Sequence, residues 1–247
     1  MAARLKYLEI NQLLKSASDA FIWAAAAFGL RFVNFNWLAS VAFLFLTAFL
    51  FFRPVLSARK FWVSATLLTL LVFLSPPVTL AGRPSLPGEA ALALALGLVF
   101  FLVLGSKNLV FLNRLEWQTL SRLLLAAGFI LILFRGAAGI LSLPAFFVVF
   151  FLLSREWFNA LKTEGKVSLI DPAAAALVFT ELFWVISLLP VGFVAQAAFL
   201  ILVLFVFEDL AFHAERRTLS RELILQDLTF FFALSFFIFG TAGWRPI

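Results

Sequence analysis

Glu181 has the most unusual setting in this chain. It is the only charged side chain in residues 172–207, a run made almost wholly of Ala, Val, Leu, Ile and Phe. A carboxyl in such a place is costly, and by default it marks a functional position. It has the chemistry to carry a proton or bind a cation in a coupled transporter. On a helix, Glu181, Trp184 and Ser187 fall along one face, with Thr180 beside them. That makes a polar stripe with an equally simple second use. Hydrogen-bonded to a neighbouring helix, Glu181 would serve as interhelical glue.

Arg135 is the natural partner to test for Glu181. By the helical rise it lies about 8 Å farther out, within partial reach of a long guanidinium side chain. The competing reading has Arg135 snorkelling to headgroups while Gly136 opens a turn. Arg31 and Arg83 fall on the same expected side. Clustered with Arg135, they would form an outward-facing site for an anion or a lipid phosphate. Gln196 is a further polar residue placed mid-span. Asp209 and His213 are four residues apart and share a helix face, a pair suited to metal binding or acid–base work. His213 is the only histidine, and a tight metal site needs three or four ligands. A solvated, mixed-charge helix extension through Glu215, Arg216 and Arg217 therefore explains the pair better, and no metal site is expected. Asp227 near a helix start suits the helix dipole.

Familiar catalytic signatures are missing. The sequence has no Gly-x-Ser-x-Gly elbow, no His-Glu-x-x-His helix and no phosphate-binding Gly-rich loop. It lacks an aspartate-rich motif for prenyl diphosphates, a mid-span Lys for a retinal Schiff base and a second His for haem. With no Cys, disulfides and thiolate chemistry are excluded. No cofactor is expected.

The elements that must hold these residues follow from composition. Of 247 residues, 64% are hydrophobic and 13% charged, against roughly 45–50% and 25% in ordinary soluble domains. Lipid is the solvent that makes such a surface harmless. Phe alone accounts for 34 residues. The apolar blocks 20–52, 123–154 and 172–207 would each be about 50 Å long as single helices, too long for a hydrocarbon core of about 30 Å. Each carries turn chemistry near its middle: Asn34 and Asn36; Gly136, Gly139 and Pro144; Pro190 and Gly192. Residues 61–106 repeat the shape around Pro76, Pro77, Gly82, Pro84, Pro87 and Gly88. The fold class expected is all-α: a polytopic transmembrane helical bundle of about nine spans, arranged as four hairpins plus one C-terminal helix. The spans are placed at 20–33, 36–52, 61–80, 89–105, 121–138, 141–155, 172–189, 192–208 and 227–243. Residues 1–19 form an amphipathic cytoplasmic segment, and the whole chain is one integral membrane domain.

Charge orients this arrangement. One side receives Arg4, Lys6, Lys15, Arg53, Arg59, Lys60, Lys107, Arg114, Arg122, Arg155, Lys162, Lys166, Arg216, Arg217 and Arg221. The other receives Arg31, Arg83, Arg135 and Arg245. Fifteen against four predicts a cytoplasmic N-terminus and an outside C-terminus. Removing span 20–33 would reduce the split to 13 against six, so the charges support that span. Three basic segments, beginning at Arg4, Asn113 and Arg216, have the character of interfacial helical turns. The blocks 20–53 and 123–155 share a layout, with Arg near the outer turn and Arg at the inner end. Duplication would explain this, as would generic snorkelling. The net charge of +6 sits in short loops, where orientation and anionic headgroups account for it and nucleic acid does not. The expected location is the cytoplasmic membrane of a bacterium, from the compact loops and the lack of a processed leader.

Mid-span polar residues are few: Glu181, Thr180 and Gln196, with Ser64, Thr66 and Thr69 in the third span. A solute pathway ordinarily uses more. The sequence therefore points first to a non-catalytic membrane subunit or scaffold, packing with lipid, partner membrane proteins or copies of itself. The alternative is a small transporter, permease or lipid-handling protein that uses Glu181. An enzyme ranks third.

Overall fold

The computed structural model describes residues 2–53, 58–77, 79–80, 83–108, 114–135, 142–161, 168–216 and 218–242. Side chains are described from residue 11 onward, except at 58–60, 79–80, 83–84 and 114–115. Among the described residues, nine helices run in the order the hairpin reading expects: α1 Ala2–Phe32, α2 Trp37–Phe52, α3 Ala58–Leu74, α4 Leu86–Lys107, α5 Arg114–Arg135, α6 Ser142–Leu161, α7 Ile170–Ser187, α8 Phe193–Glu215 and α9 Arg221–Thr241. Seven are long and apolar enough to cross a membrane, while α2 and the apolar part of α3 are shorter. The chain is a membrane-embedded helical bundle. It divides into two compact units, Met1–Ser121 and Arg122–Ile247, with the boundary inside α5.

In the first unit, α1 is continuous, so the expected amphipathic segment and first span are one helix. At 31 residues it is about 46 Å long, and its spanning portion is Asn11–Phe32. It lies closely on α4 through small residues. Ala20 and Ala24 lie against Gly97, and Ala27 and Ala93 are buried as well. A Cβ added at Gly97 would stand 2.6 Å from that of Ala24. Small residues let backbones approach where lipid offers no hydrophobic drive to associate. Trp23, fully buried, joins three helices. It stacks on Phe100 of α4 at 4.7 Å, meets Phe43 of α2 at 5.4 Å and donates to Thr47 Oγ1 at 2.9 Å. The α1–α2 turn uses Asn34 and Phe35 at positive φ, followed by Asn36 capping α2 through the Leu38 amide. The third helix stops at Leu74, short of the expected 80. Pro76 and Pro77 cannot donate to a continuing helix. A two-residue antiparallel ladder follows, β1 Thr79–Leu80 with β2 Arg83–Pro84. Ser85 then caps α4, accepting from the Gly88 amide.

In the second unit, α6 packs along α7 through Phe rings. Phe146 stacks on Phe183 at 4.5 Å, and Phe150 on Phe179 at 5.5 Å. Phe134 of α5 meets Phe183 at 4.5 Å, so the C-terminal ends of α5 and α7 lie level with the start of α6. Helix α9 buries no residue and touches α8 through Phe199 with Phe231 and Phe239. The helices exceed several expected boundaries: α6 continues to Leu161, α8 to Glu215, and α9 starts at Arg221.

Candidate functional site

Burial along α7 is one-sided. Pro172, Ala175, Ala176, Phe179, Phe183 and Ile186 are buried. At 100° per residue these cluster about one direction, and Glu181 points about 180° away from it. Glu181 is exposed, at the centre of an exposed apolar stripe of Leu177, Val178, Trp184, Val185 and Leu188. It stands 11 residues after the start of α7 and six before its end, about one turn past the middle. Thr180 Oγ1 returns to its own helix, donating to the Ala176 carbonyl at 2.7 Å, and Ser187 Oγ does the same to Trp184. The expected stripe of Glu181, Trp184 and Ser187 exists, but the bundle interior is on the other side of the helix.

Arg135, the last residue of α5, is also exposed. It makes no ion pair with Glu181 in the described structure. Gln196 is buried and donates through Nε2 to the carbonyls of Ser187 at 3.3 Å and Leu189 at 3.0 Å. It thus adds a donor at the end of α7, where the Leu189 carbonyl also accepts from the Val191 amide at 2.8 Å, and clasps the α7–α8 turn.

Arg31 is buried and directed into the fold rather than to headgroups. Nε donates to the Glu89 carboxylate, Nη1 to the carbonyls of Val72 and Ser75, and Nη2 to that of Pro76 at 2.9 Å. One guanidinium therefore caps the end of α3 and ties it to the first turn of α4. Arg83 lies in β2, its side chain outside the described residues. Lys107 works in the same way as Arg31. Its Nζ donates to the Phe51 carbonyl at the end of α2 and stands 4.9 Å over the Phe51 ring. Cations on the last carbonyls of a helix suit both the unpaired acceptors and the dipole.

The residues that sequence reasoning missed are Arg122 and Glu208. Both are buried, at 4% and 2% exposure. Arg122 Nη1 stands 3.3 Å from Glu208 Oε1, Nη2 is 3.5 Å from Ser154 Oγ, and the guanidinium lies 4.6 Å over the Trp157 ring. Glu156, also buried, adds a second carboxylate acting on the same cation. The ion pair lacks hydrogen-bond geometry. Arg122 Nε and Nη1 and both Glu208 oxygens have no hydrogen-bond partner. The site sits about 12 Å from the start of α5 and about 10 Å from the end of α8 by the helical rise. One turn farther along α8, His213 Nδ1 is 3.5 Å from Asp209 Oδ2, and Asp227 of α9 faces both. Among the described residues no group of three or more His, Cys, Asp or Glu has the arrangement of a metal site.

Comparison of the chain with protein-family models, curated proteins and solved structures finds no match.

Proposed function

We propose that this chain is a non-catalytic membrane subunit that packs with other transmembrane helices through the outer face of α7. The observation that carries this is the position of Glu181. It stands diametrically opposite the buried face of α7, in the middle of an apolar stripe. A carboxyl presented to lipid at that depth costs about 2.5–3.5 kcal/mol even on the lenient insertion scale. A neighbouring helix with a donor at that level offsets the cost. The interior supports the same reading. Arg31, Lys107 and Gln196 serve helix ends, and Thr180 bonds within its own turn. The reading places the chain in the cytoplasmic membrane of a bacterium, in keeping with its compact loops; the basic-residue split supports a cytoplasmic N-terminus and an outside C-terminus. Because the chain has no Cys, Val178→Cys gives a unique attachment point for a photoactivatable crosslinker. Protein adducts from Val178→Cys that are lost on adding Glu181→Leu support the reading. Adducts to lipid alone would refute it.

The buried Arg122–Glu208 pair favours a second reading, a carrier with its polar site there instead of at Glu181. Four orphaned polar atoms in one place suit a site that exchanges hydrogen-bond partners during a cycle. A water-soluble thiol reagent distinguishes the two. Modification of Ser154→Cys in intact membranes means that an aqueous path reaches the pair; a wholly unreactive thiol removes the carrier reading.

A further inference from the structure

The two buried arginine–glutamate pairs of this chain are built differently. Arg31 is pinned on the carbonyls of Val72, Ser75 and Pro76 as well as on Glu89, so its pair is a clamp. Arg122 bonds no backbone carbonyl among the described residues. Its Nη1 stands 3.3 Å from Glu208 Oε1, yet neither Glu208 oxygen accepts a hydrogen bond, and Arg122 Nε and Nη1 donate none. Both side chains are withdrawn from solvent. Hydrogen bonds to a carboxylate favour its charged form. Glu208 has the attraction of a cation but no donor, so a proton reaching either oxygen displaces no hydrogen bond.

The cation has an alternative carboxylate. Its guanidinium lies along α6, with Nη2 3.5 Å from Ser154 Oγ and its centre 4.6 Å over the Trp157 ring. Glu156 stands in the same turn of α6, is buried, and acts on Arg122. Neutralising Glu208 therefore does not strand Arg122, which is what makes losing one partner of a buried pair so costly. Other elements add little charge at this point. The buried face of α7 is made of Pro, Ala, Phe and Ile. Glu116 of α5 and Arg155 of α6 are exposed. Asp209, His213 and, on α9, Asp227 lie on the adjoining turn toward the end of α8. All three are half-buried, and they mark the direction from which a proton reaches Glu208.

We propose that Glu208 is a proton-binding site within the second unit: its carboxylate takes up one proton, the new O–H bond forms on a Glu208 oxygen, and Arg122 passes to the Glu156 carboxylate. Release of the proton restores the Arg122–Glu208 pair. Trp157 and Ser154 supply the surface along which the guanidinium moves. Such a site is independent of the α7 face and, unlike a carrier, needs a path for protons only.

The test is pH-difference infrared spectroscopy of the full-length chain in lipid vesicles, with Glu181→Gln as the background to remove the other mid-span carboxyl. Lowering the pH should raise a protonated-carboxyl band that Glu208→Gln removes and Asp227→Asn leaves. At the pH where that band is half grown, adding Glu156→Gln should cut it to well under half, because Arg122 then loses the carboxylate it turns to. The indole N–H resonance of Trp157 provides a check without a variant at Glu208. It should shift over the same pH range as the band grows, since the cation above the ring changes place. A band unaffected by Glu208→Gln, or no band, overturns the proton site. A Trp157 resonance that stays fixed while the band grows overturns the exchange of partners. The Glu208 band with an unreactive Ser154→Cys leaves the proton site standing without a carrier; a reactive Ser154→Cys with no Glu208 band leaves a carrier without the proton site.

Discussion

Replacing Glu208 by Leu tests whether the charged cluster of the second unit acts as a unit. The Arg122–Glu208 contact is 3.3 Å. At an effective dielectric constant of about 20 its Coulomb energy is about 5 kcal/mol. Removing one partner of a buried pair strands the other, a loss of about 3–5 kcal/mol. The losses should be unequal. With Glu208→Leu, Arg122 keeps the field of Glu156 and its place over Trp157. With Arg122→Leu, both carboxylates lose the cation they share. Arg122→Leu should therefore destabilise the chain more, at the upper end of that range or beyond it. The double variant Arg122→Leu/Glu208→Leu removes the desolvated pair together, with its four orphaned atoms. It should be less destabilised than the two single losses added, by a coupling of about 2–4 kcal/mol. The assay is reversible unfolding in mixed micelles by titration with a denaturing detergent, followed by far-ultraviolet circular dichroism. Additive losses, or a milder effect of Arg122→Leu than of Glu208→Leu, would refute the view that one cation holds two buried carboxylates.

Three further outcomes follow from the packing. Gly97→Ala should cost about 1–3 kcal/mol in the same unfolding assay, because the new Cβ meets Ala24 at 2.6 Å; Ala24→Gly in the same chain should recover most of it, and no recovery would mean that α1 and α4 do not meet there. Arg31→Met should cost about 3–5 kcal/mol, and Arg31→Lys should recover less than half, since a single ammonium cannot serve Glu89 and the end of α3 together. Gln196→Leu removes the side-chain donor on the Ser187 carbonyl and leaves that of Leu189 with the Val191 amide; hydrogen exchange should rise across residues 187–192, and unchanged exchange would discount the clasp.

The hairpin pattern was legible because turn residues interrupt apolar runs that are too long to cross once. Asn34 and Asn36, Pro76 and Pro77, and Pro190 and Gly192 all stand where helices end or begin. What composition hides is direction. Glu181 was recognisable as costly, yet nothing in a single helix says which side meets the bundle. Here the answer comes from Phe179 and Phe183 on the opposite face. The Arg122–Glu208 pair was missed for a physical reason too. Charges were taken to mark the ends of spans, so both residues were placed at the membrane surface. In the structure α5 starts eight residues before Arg122 and α8 continues seven beyond Glu208. A cation and an anion pairing across helices lower each other's cost, so a span can continue through them. Arg31 shows the same limit. It sits at an outer turn, where snorkelling is the default expectation, but its guanidinium turns inward and donates to the carbonyls of Ser75 and Pro76 at the end of α3.

The Phe excess becomes intelligible once helices are compared by partner. In lipid, apolar side chains gain little by leaving their solvent, so association depends on how well surfaces fit. Two solutions are used in this chain. Where α1 meets α4, small residues bring backbones together. Where α6 meets α7, Phe rings stack at 4.5–5.5 Å and fill the interface between the two helices. A ring can do this without a polar atom to satisfy, which Tyr and Trp cannot. The same residue serves facing outward, as Phe236 and Phe237 do on α9, because lipid accepts it equally. Phe therefore carries no information about which helix faces are covered. Only charge does. That is why a single exposed carboxylate in the apolar face of α7 says more about assembly than the whole aromatic surface around it.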